Sequence, residues 1–184
     1  TGLEWATKIP GTVGGSIYGN AGAYGGVTAS VLQHVQFLDT EGNITTIKNA
    51  DLGFGYRSSK LKRGELSGTI LSGTYALTIG DYGLIQEKMA EIAEKRQKFN
   101  FRGNGSLGSV FRNPEGDYAG RLISAIGYCG KSFGKVEILD HHGNIFITYP
   151  GVKSSEFAAA IREVHDAVQR KFGIDLLTEI EILK

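Results

Sequence analysis

Between Val31 and Leu38 apolar and polar residues alternate as in a half-buried strand. Asp39-Thr40-Glu41-Gly42 then supplies turn chemistry before a second β-prone run from Asn43 to Lys48, so the pair predicts a hairpin. Thr69 to Thr78, bounded by Gly68 and Gly80, carries Ile70, Leu71, Tyr75 and Leu77 and predicts a further strand of the same sheet. Asp81 offers an N-cap, after which Leu84, Ile85, Met89, Ile92 and Ala93 recur at helical spacing as far as Lys98. That helix is expected to cover one face of the sheet.

Arg102-Gly103-Asn104-Gly105-Ser106 reads as a low-complexity hinge and divides the chain into 1–100 and 101–184. Beyond it the pattern predicts a short helix over Tyr118 to Ile126. Strands follow at Lys135 to Leu139 and Ile145 to Tyr149, joined by an Asp140-His141-His142-Gly143-Asn144 turn with solvent-facing imidazoles. Phe157, Ile161, Val164, Val168 and Phe172 step by fours and threes along one helical face, with Gly173 at the C′ position. Glu179 to Leu183 alternates as a last strand. Strands and helices mix without a regular βαβ rhythm, so the fold class predicted is α+β in two lobes.

Seven of the sixteen residues from Gly11 to Gly26 are glycine. Such density fits backbone that turns sharply or lies close to a ligand; runs of N–H groups there suit phosphate, while plain turns between strands would account for the glycines equally well. A second glycine pattern, Gly103-Asn104-Gly105-Ser106-Leu107-Gly108, follows a predicted helix rather than a strand and lacks the setting of a dinucleotide fingerprint. No Gly-Lys-Ser/Thr or Gly-x-Ser-x-Gly sequence is present. From local sequence alone Ser109 is a turn residue, and Arg57 and Glu179 are surface residues.

The order of residues says more. Gly2-Leu3-Glu4-Trp5, Ile9-Pro10-Gly11-Thr12-Val13-Gly14-Gly15 and Gly19-Asn20-Ala21-Gly22-Ala23-Tyr24-Gly25 resemble the flavin-domain signature of the UDP-N-acetylenolpyruvoylglucosamine reductase family. The resemblance continues through Gly53-Phe54-Gly55-Tyr56-Arg57-Ser58-Ser59, Gly108-Ser109-Val110-Phe111-Arg112-Asn113-Pro114 and Ala119-Gly120-Arg121-Leu122-Ile123, in the family's order and over nearly the whole chain.

The resemblance implies an FAD enzyme that takes hydride from NADPH to make UDP-N-acetylmuramate for cell walls. FAD would lie against Gly11, Thr12, Val13, Gly14, Gly15, Asn20, Ala21, Gly22, Ala23 and Tyr24. Ser109 would be the general acid, with Arg57 and Glu179 holding the enolate; Thr178-Glu179-Ile180 resembles the family's Pro-Glu-Val. Arg57, Lys98, Asn113 and Asn144 would bind the nucleotide-sugar substrate. The family also carries a smaller flavin-binding subdomain ahead of this region, so the sequence reads as the C-terminal part of such an enzyme: part of an FAD domain, then the substrate domain. Two rivals are a flavin-dependent oxidase with the same type of FAD domain, which has no reason to keep Gly108 to Pro114, and a non-catalytic fragment.

Composition narrows the partners. The chain has 184 residues and a formal net charge of +1, with Lys and Arg scattered, so it offers no electrostatic footprint for nucleic acid. Hydrophobic residues make up 41% of it, yet no apolar run reaches a membrane span, and a soluble cytoplasmic protein is expected. Cys129, the single cysteine, excludes an internal disulfide, and His141 and His142 lack partners at metal-ligand spacing.

Overall fold

The computed structural model describes residues 1–97 and 105–182. Lys98, Arg102, Gly103 and Asn104 lie outside them. The chain divides into two compact units, Thr1–Asn100 and Phe101–Lys184, and each has its own core.

The first unit opens with a single 3-10 turn, Glu4–Ala6, then α1 (Val13–Tyr18) and a short hairpin of β1 (Gly22–Ala23) and β2 (Gly26–Val27). β3 (Leu32–Asp39) and β4 (Ile44–Lys48) form the expected hairpin, with Asp39 accepting from the N–H groups of Glu41 and Asn43 across the turn. β5 (Gly68–Tyr75) pairs with the other edge of β3, so the antiparallel order is β4-β3-β5. Ile17 of α1 seals the sheet and joins Leu32, Val35, Phe37, Leu52 and Leu61 in the core.

α2 (Tyr82–Gln97) begins where expected, because the Asp81 carboxylate accepts from Leu84 N–H at 2.9 Å. It does not lie across the sheet as expected. Its main neighbour is the Glu4–Ala6 turn, and of its residues only Ile92 is buried, while Leu84 is 68% exposed. The helical spacing was real, but apolar residues are too sparse along it to make a continuous buried stripe.

The second unit is a four-stranded antiparallel sheet of β6 (Gly105–Ser109), β7 (Ser132–Phe133), β8 (Val136–Ile138) and β9 (Ile145–Thr148), in the order β6-β9-β8-β7. Gly105 and Ser106, assigned to the hinge from sequence, are therefore strand residues paired with Thr148 and Ile147. α3 (Ala119–Ala125) and α4 (Ser154–Phe172) pack with the sheet. On α4 the expected face holds: Ile161, Val164 and Val168 are buried, Phe157 and Phe172 flank them, and Gly173 takes the left-handed conformation at φ 69°.

The last expected strand is absent. Thr178 makes one isolated bridge to Phe111, and residues 179–182 form no ladder. Alternation over so few residues marks which side chains face inward but not whether a partner strand is in reach. No helix among the described residues is long and apolar enough to cross a membrane.

One tie between α4 and the segment after it makes stability pH-dependent. His165 faces Asp166 at 2.9 Å through Nδ1 and Asp175 at 2.6 Å through Nε2, and these two carboxylates raise its pKa. A raised folded-state pKa stabilises the fold fully below the unfolded value of about 6.5, and the gain is lost as pH rises through the folded value. The His165 side chain is 32% exposed and its two carboxylate partners more so, and solvent screening keeps the expected contribution under about 1 kcal/mol. Urea unfolding should show His165→Ala destabilised relative to the parent at pH 5.5, with the gap closing by pH 8.5.

Candidate functional site

In the first unit the glycine-rich region separates into glycines needed for packing and glycines that leave space. A Cβ on Gly26 would stand 2.2 Å from the Trp5 ring, and one on Gly22 would meet Gly26 O at 2.9 Å. These two close the hairpin onto the indole. A Cβ on Gly11 or Gly25 would meet nothing within 4 Å, and both residues have positive φ, 141° and 83°.

Thr12 caps α1, its Oγ1 accepting from Gly15 N–H at 3.0 Å, while helix geometry leaves the N–H groups of Val13 and Gly14 without an intrahelical acceptor. Beside this turn is a groove of about 450 Å³ walled by Trp5, Ile9, Gly11, Thr12, Ser16 and Tyr75. Open glycine backbone, first-turn N–H groups and an apolar wall fit one part of a flavin nucleotide. Thr12, Val13 and Gly15 line that groove together with Ala21. Tyr24 stacks near Arg96, 5.3 Å from ring centre to guanidinium carbon, and Asn20 is buried at 6% exposure with its amide engaged by backbone.

Arg57 belongs to the same unit. It sits at φ 51°, left-handed, in a tight loop closed by reciprocal hydrogen bonds between Gly55 and Ser58. Its Nη2 donates to Gly22 O at 2.8 Å, and its guanidinium lies 5.2 Å from the centre of the Tyr56 ring.

In the second unit Ser109 ends β6 rather than standing in a loop. It pairs with Ile145 after a break in register that follows Ser106, and Gly108 turns at φ 78° just before it. The chain then runs through Val110 and Phe111, both buried in the core. On one side, Arg112 N–H donates to Leu177 O at 2.8 Å and Glu179 N–H to Val110 O at 2.8 Å, so Glu179 is bonded to the residue that follows Ser109. On the other side, the Asn144 amide acts as a backbone surrogate: Oδ1 accepts from Phe111 N–H at 2.9 Å and Nδ2 donates to Phe111 O at 2.8 Å.

A groove of about 430 Å³ opens here, lined by Ser109, Asn113, Tyr118, Arg121, His142 and Asn144 among others. Three residues named from the sequence, Ser109, Asn113 and Asn144, thus meet in one place. Asn113 Oδ1 accepts from Ala119 N–H at 3.1 Å and so caps the start of α3. Nε of Arg112, which does not line the groove, is buried with no hydrogen-bond partner, a donor that a water would satisfy.

Sequence reasoning missed Tyr118, Arg121 and His142. Arg121 sits at spacing i+4 from Asp117, whose carboxylate it holds at a pKa of about 2, and that spacing was the available signal. His142 is not solvent-facing as expected: it is half-buried, and burial lowers its pKa, because Gly143 lets the turn approach α3 until a Cβ there would stand 2.7 Å from Gly120 O. Among the described residues no group of three or more His, Cys, Asp or Glu side chains is arranged to hold a metal ion.

The family model for the C-terminal domain of UDP-N-acetylenolpyruvoylglucosamine reductase matches residues 97–183. Along its whole length the chain is similar to UDP-N-acetylenolpyruvoylglucosamine reductases: 40% identical to that of Geobacillus kaustophilus and 37% to that of Limosilactobacillus reuteri, covering 60% and 61% of those proteins. The crystal structure of UDP-N-acetylenolpyruvylglucosamine reductase from Thermus caldophilus superposes with a TM-score of 0.84 at 30% identity, over 100% of this chain and 65% of that one. The second unit, with its small antiparallel sheet and two helices, is thus an α+β domain of the class that this family model describes. The chain as a whole belongs to the UDP-N-acetylenolpyruvoylglucosamine reductase family. It spans about 60% of the length of the curated relatives it matches.

Proposed function

We propose that the protein carrying this chain reduces UDP-N-acetylenolpyruvoylglucosamine to UDP-N-acetylmuramate in the cytoplasm, for peptidoglycan precursor synthesis, with FAD as resident cofactor and NADPH as hydride donor. The observation that supports this reading most is the meeting of Ser109, Asn113 and Asn144 at one groove, with Glu179 N–H bonded to the carbonyl of Val110, the residue after Ser109. FAD, when bound and reduced, would supply the hydride that C3 of the enolpyruvyl group receives.

The chain's own residues do the rest. Ser109 Oγ gives its proton to C2; an alkanol is a weak acid, so the acceptor must be a strongly basic enolate held in line with it. Arg57 offers a planar fork for the substrate carboxylate, where negative charge accumulates as the double bond is reduced. Glu179 helps to hold that enolate. Asn113 and Lys98 serve the substrate phosphates, and Asn144 lines the nucleotide end while fixing the strand that bears Ser109. Gly11, Val13, Gly14 and Gly15 would hold part of the flavin nucleotide through open backbone.

The reading is tested by flavin retention and turnover. The 184-residue chain alone is expected to purify with little or no flavin, because the Gly11 groove supplies only part of a cradle; tightly held flavin on this chain overturns that expectation. Completed to the length of its relatives, the protein should bind FAD and turn over NADPH repeatedly only when UDP-N-acetylenolpyruvoylglucosamine is present. Flavin reduction by NADPH with no reoxidation by that substrate would refute the assignment.

A further inference from the structure

The loop that carries Arg57 is stitched to the glycine-rich segment at three alternating positions. Ser59 Oγ donates to Tyr18 O at 2.7 Å, Asn20 Nδ2 donates to Gly55 O at 2.9 Å, and Arg57 Nη2 donates to Gly22 O at 2.8 Å. Ser59 is fully buried and Asn20 nearly so. The Asn20 amide has no freedom to turn elsewhere, since its Oδ1 accepts from Ala29 N–H at 3.0 Å. Asn20 also holds a left-handed backbone, φ 46°, a conformation that asparagine tolerates better than most residues. Both its backbone and its side chain are thus committed to joining the two segments.

We propose that Asn20 and Ser59 are positioning residues for Arg57, and that the second half of the glycine-rich motif sets the register of the guanidinium rather than contacting the cofactor through Asn20. The proposal rests on Arg57 being the carboxylate clamp of the reaction. Gly55 O accepts from both Ser58 N–H and Asn20 Nδ2, so the tether lands on the hydrogen-bonded ring that forces Arg57 into its left-handed conformation. Gly22 completes the device at the tip. A side chain there would bring a Cβ to 3.2 Å from Arg57 Nη1, so only glycine lets the guanidinium reach the carbonyl without displacement. A clamp misplaced by even an ångström loses about a hundredfold in rate, which makes such a tether consequential.

The test uses the protein completed to the length of its relatives, with FAD bound. Asn20→Ala is expected to lower kcat by about tenfold or more, through the misplaced clamp, while the flavin Kd changes by less than about threefold. In an Arg57→Ala background the same substitution should cost less than about twofold, because both changes act on one interaction. Independently of activity, amide hydrogen exchange at Ser58 should accelerate in Asn20→Ala and in Ser59→Ala, and Ser59→Thr should restore protection.

Weakened flavin binding with unchanged kcat at saturating FAD would make Asn20 a cofactor contact and overturn the proposal, as would multiplicative losses in the double variant. Should Asn20→Ala not fold, Ser59→Ala carries the same comparisons. If Arg57→Ala itself keeps full turnover, the clamp reading fails; Ser58 exchange then decides the tether alone, unchanged exchange overturning it as well.

Discussion

Replacing Ser109 by alanine in the protein completed to its relatives' length is expected to leave flavin reduction by NADPH near its parent rate. Reoxidation by UDP-N-acetylenolpyruvoylglucosamine should slow by about a hundredfold to ten-thousandfold, the usual cost of removing a general acid. Ser109 lies in the second unit, whereas the Gly11 groove lies in the first, so the substitution leaves the residues proposed to hold flavin untouched. A small hydrogen in place of Oγ also leaves the pairing with Ile145 intact, since that uses backbone. Ser109→Cys should recover part of the loss, because a thiol, with a reference pKa of about 8.5, is a far better proton donor than an alkanol. Stopped-flow measurement of the two flavin half-reactions separates these effects. Equal reoxidation rates in parent and Ala variant would return Ser109 to the role of a strand-end residue.

Asn144→Ala should give the largest loss of stability. Phe111 is 1% exposed, and both its backbone groups depend on the Asn144 amide, because the bridge on its other side uses Val110 O and Arg112 N–H instead. Truncation leaves a buried donor and a buried acceptor unpaired, and at about 1 to 3 kcal/mol for each group the expected loss is roughly 2 to 6 kcal/mol. Asn144→Asp sharpens the test. It keeps the acceptor for Phe111 N–H but sets a carboxylate oxygen against Phe111 O, so it should be destabilised at neutral pH and partly rescued in acid, where a protonated carboxyl can donate. Urea unfolding of parent and both variants at pH 5 and 7.5 checks the order. A loss below about 0.5 kcal/mol for the Ala variant would mean that water replaces the amide at little cost.

The elements most legible in the sequence were those whose pattern is repeated or punctuated. Ile161, Val164 and Val168 recur over several turns and Gly173 stops them; Asp39 to Gly42 marks a turn between two β-prone runs. Where a pattern had no partner, the expectation failed. Leu84 keeps helical spacing with nothing to cover it, and Ile180 and Ile182 alternate without forming a ladder.

The site divides in the same way. Ordered motifs marked Ser109, Asn113 and Asn144, which the fold brings to one groove. The amide partners of Asn20 and Asn144 were not legible, because Gly55 and Phe111 lie more than thirty positions away in the chain and no local rule links them. Glycine density flagged a special backbone, yet only the position of the Trp5 ring separates Gly26, which packs, from Gly11, which leaves space.

That indole gives the molecule a built-in reporter. Trp5 is the single tryptophan, it is 7% exposed, its Nε1 donates to Gly2 O at 3.0 Å, and one of its faces is closed by Gly26 while the residue also walls the Gly11 groove. All indole fluorescence therefore originates in the first unit and none in the second. In this chain emission follows the melting of the N-terminal unit alone, and an isoalloxazine or adenine ring entering the groove would quench it directly.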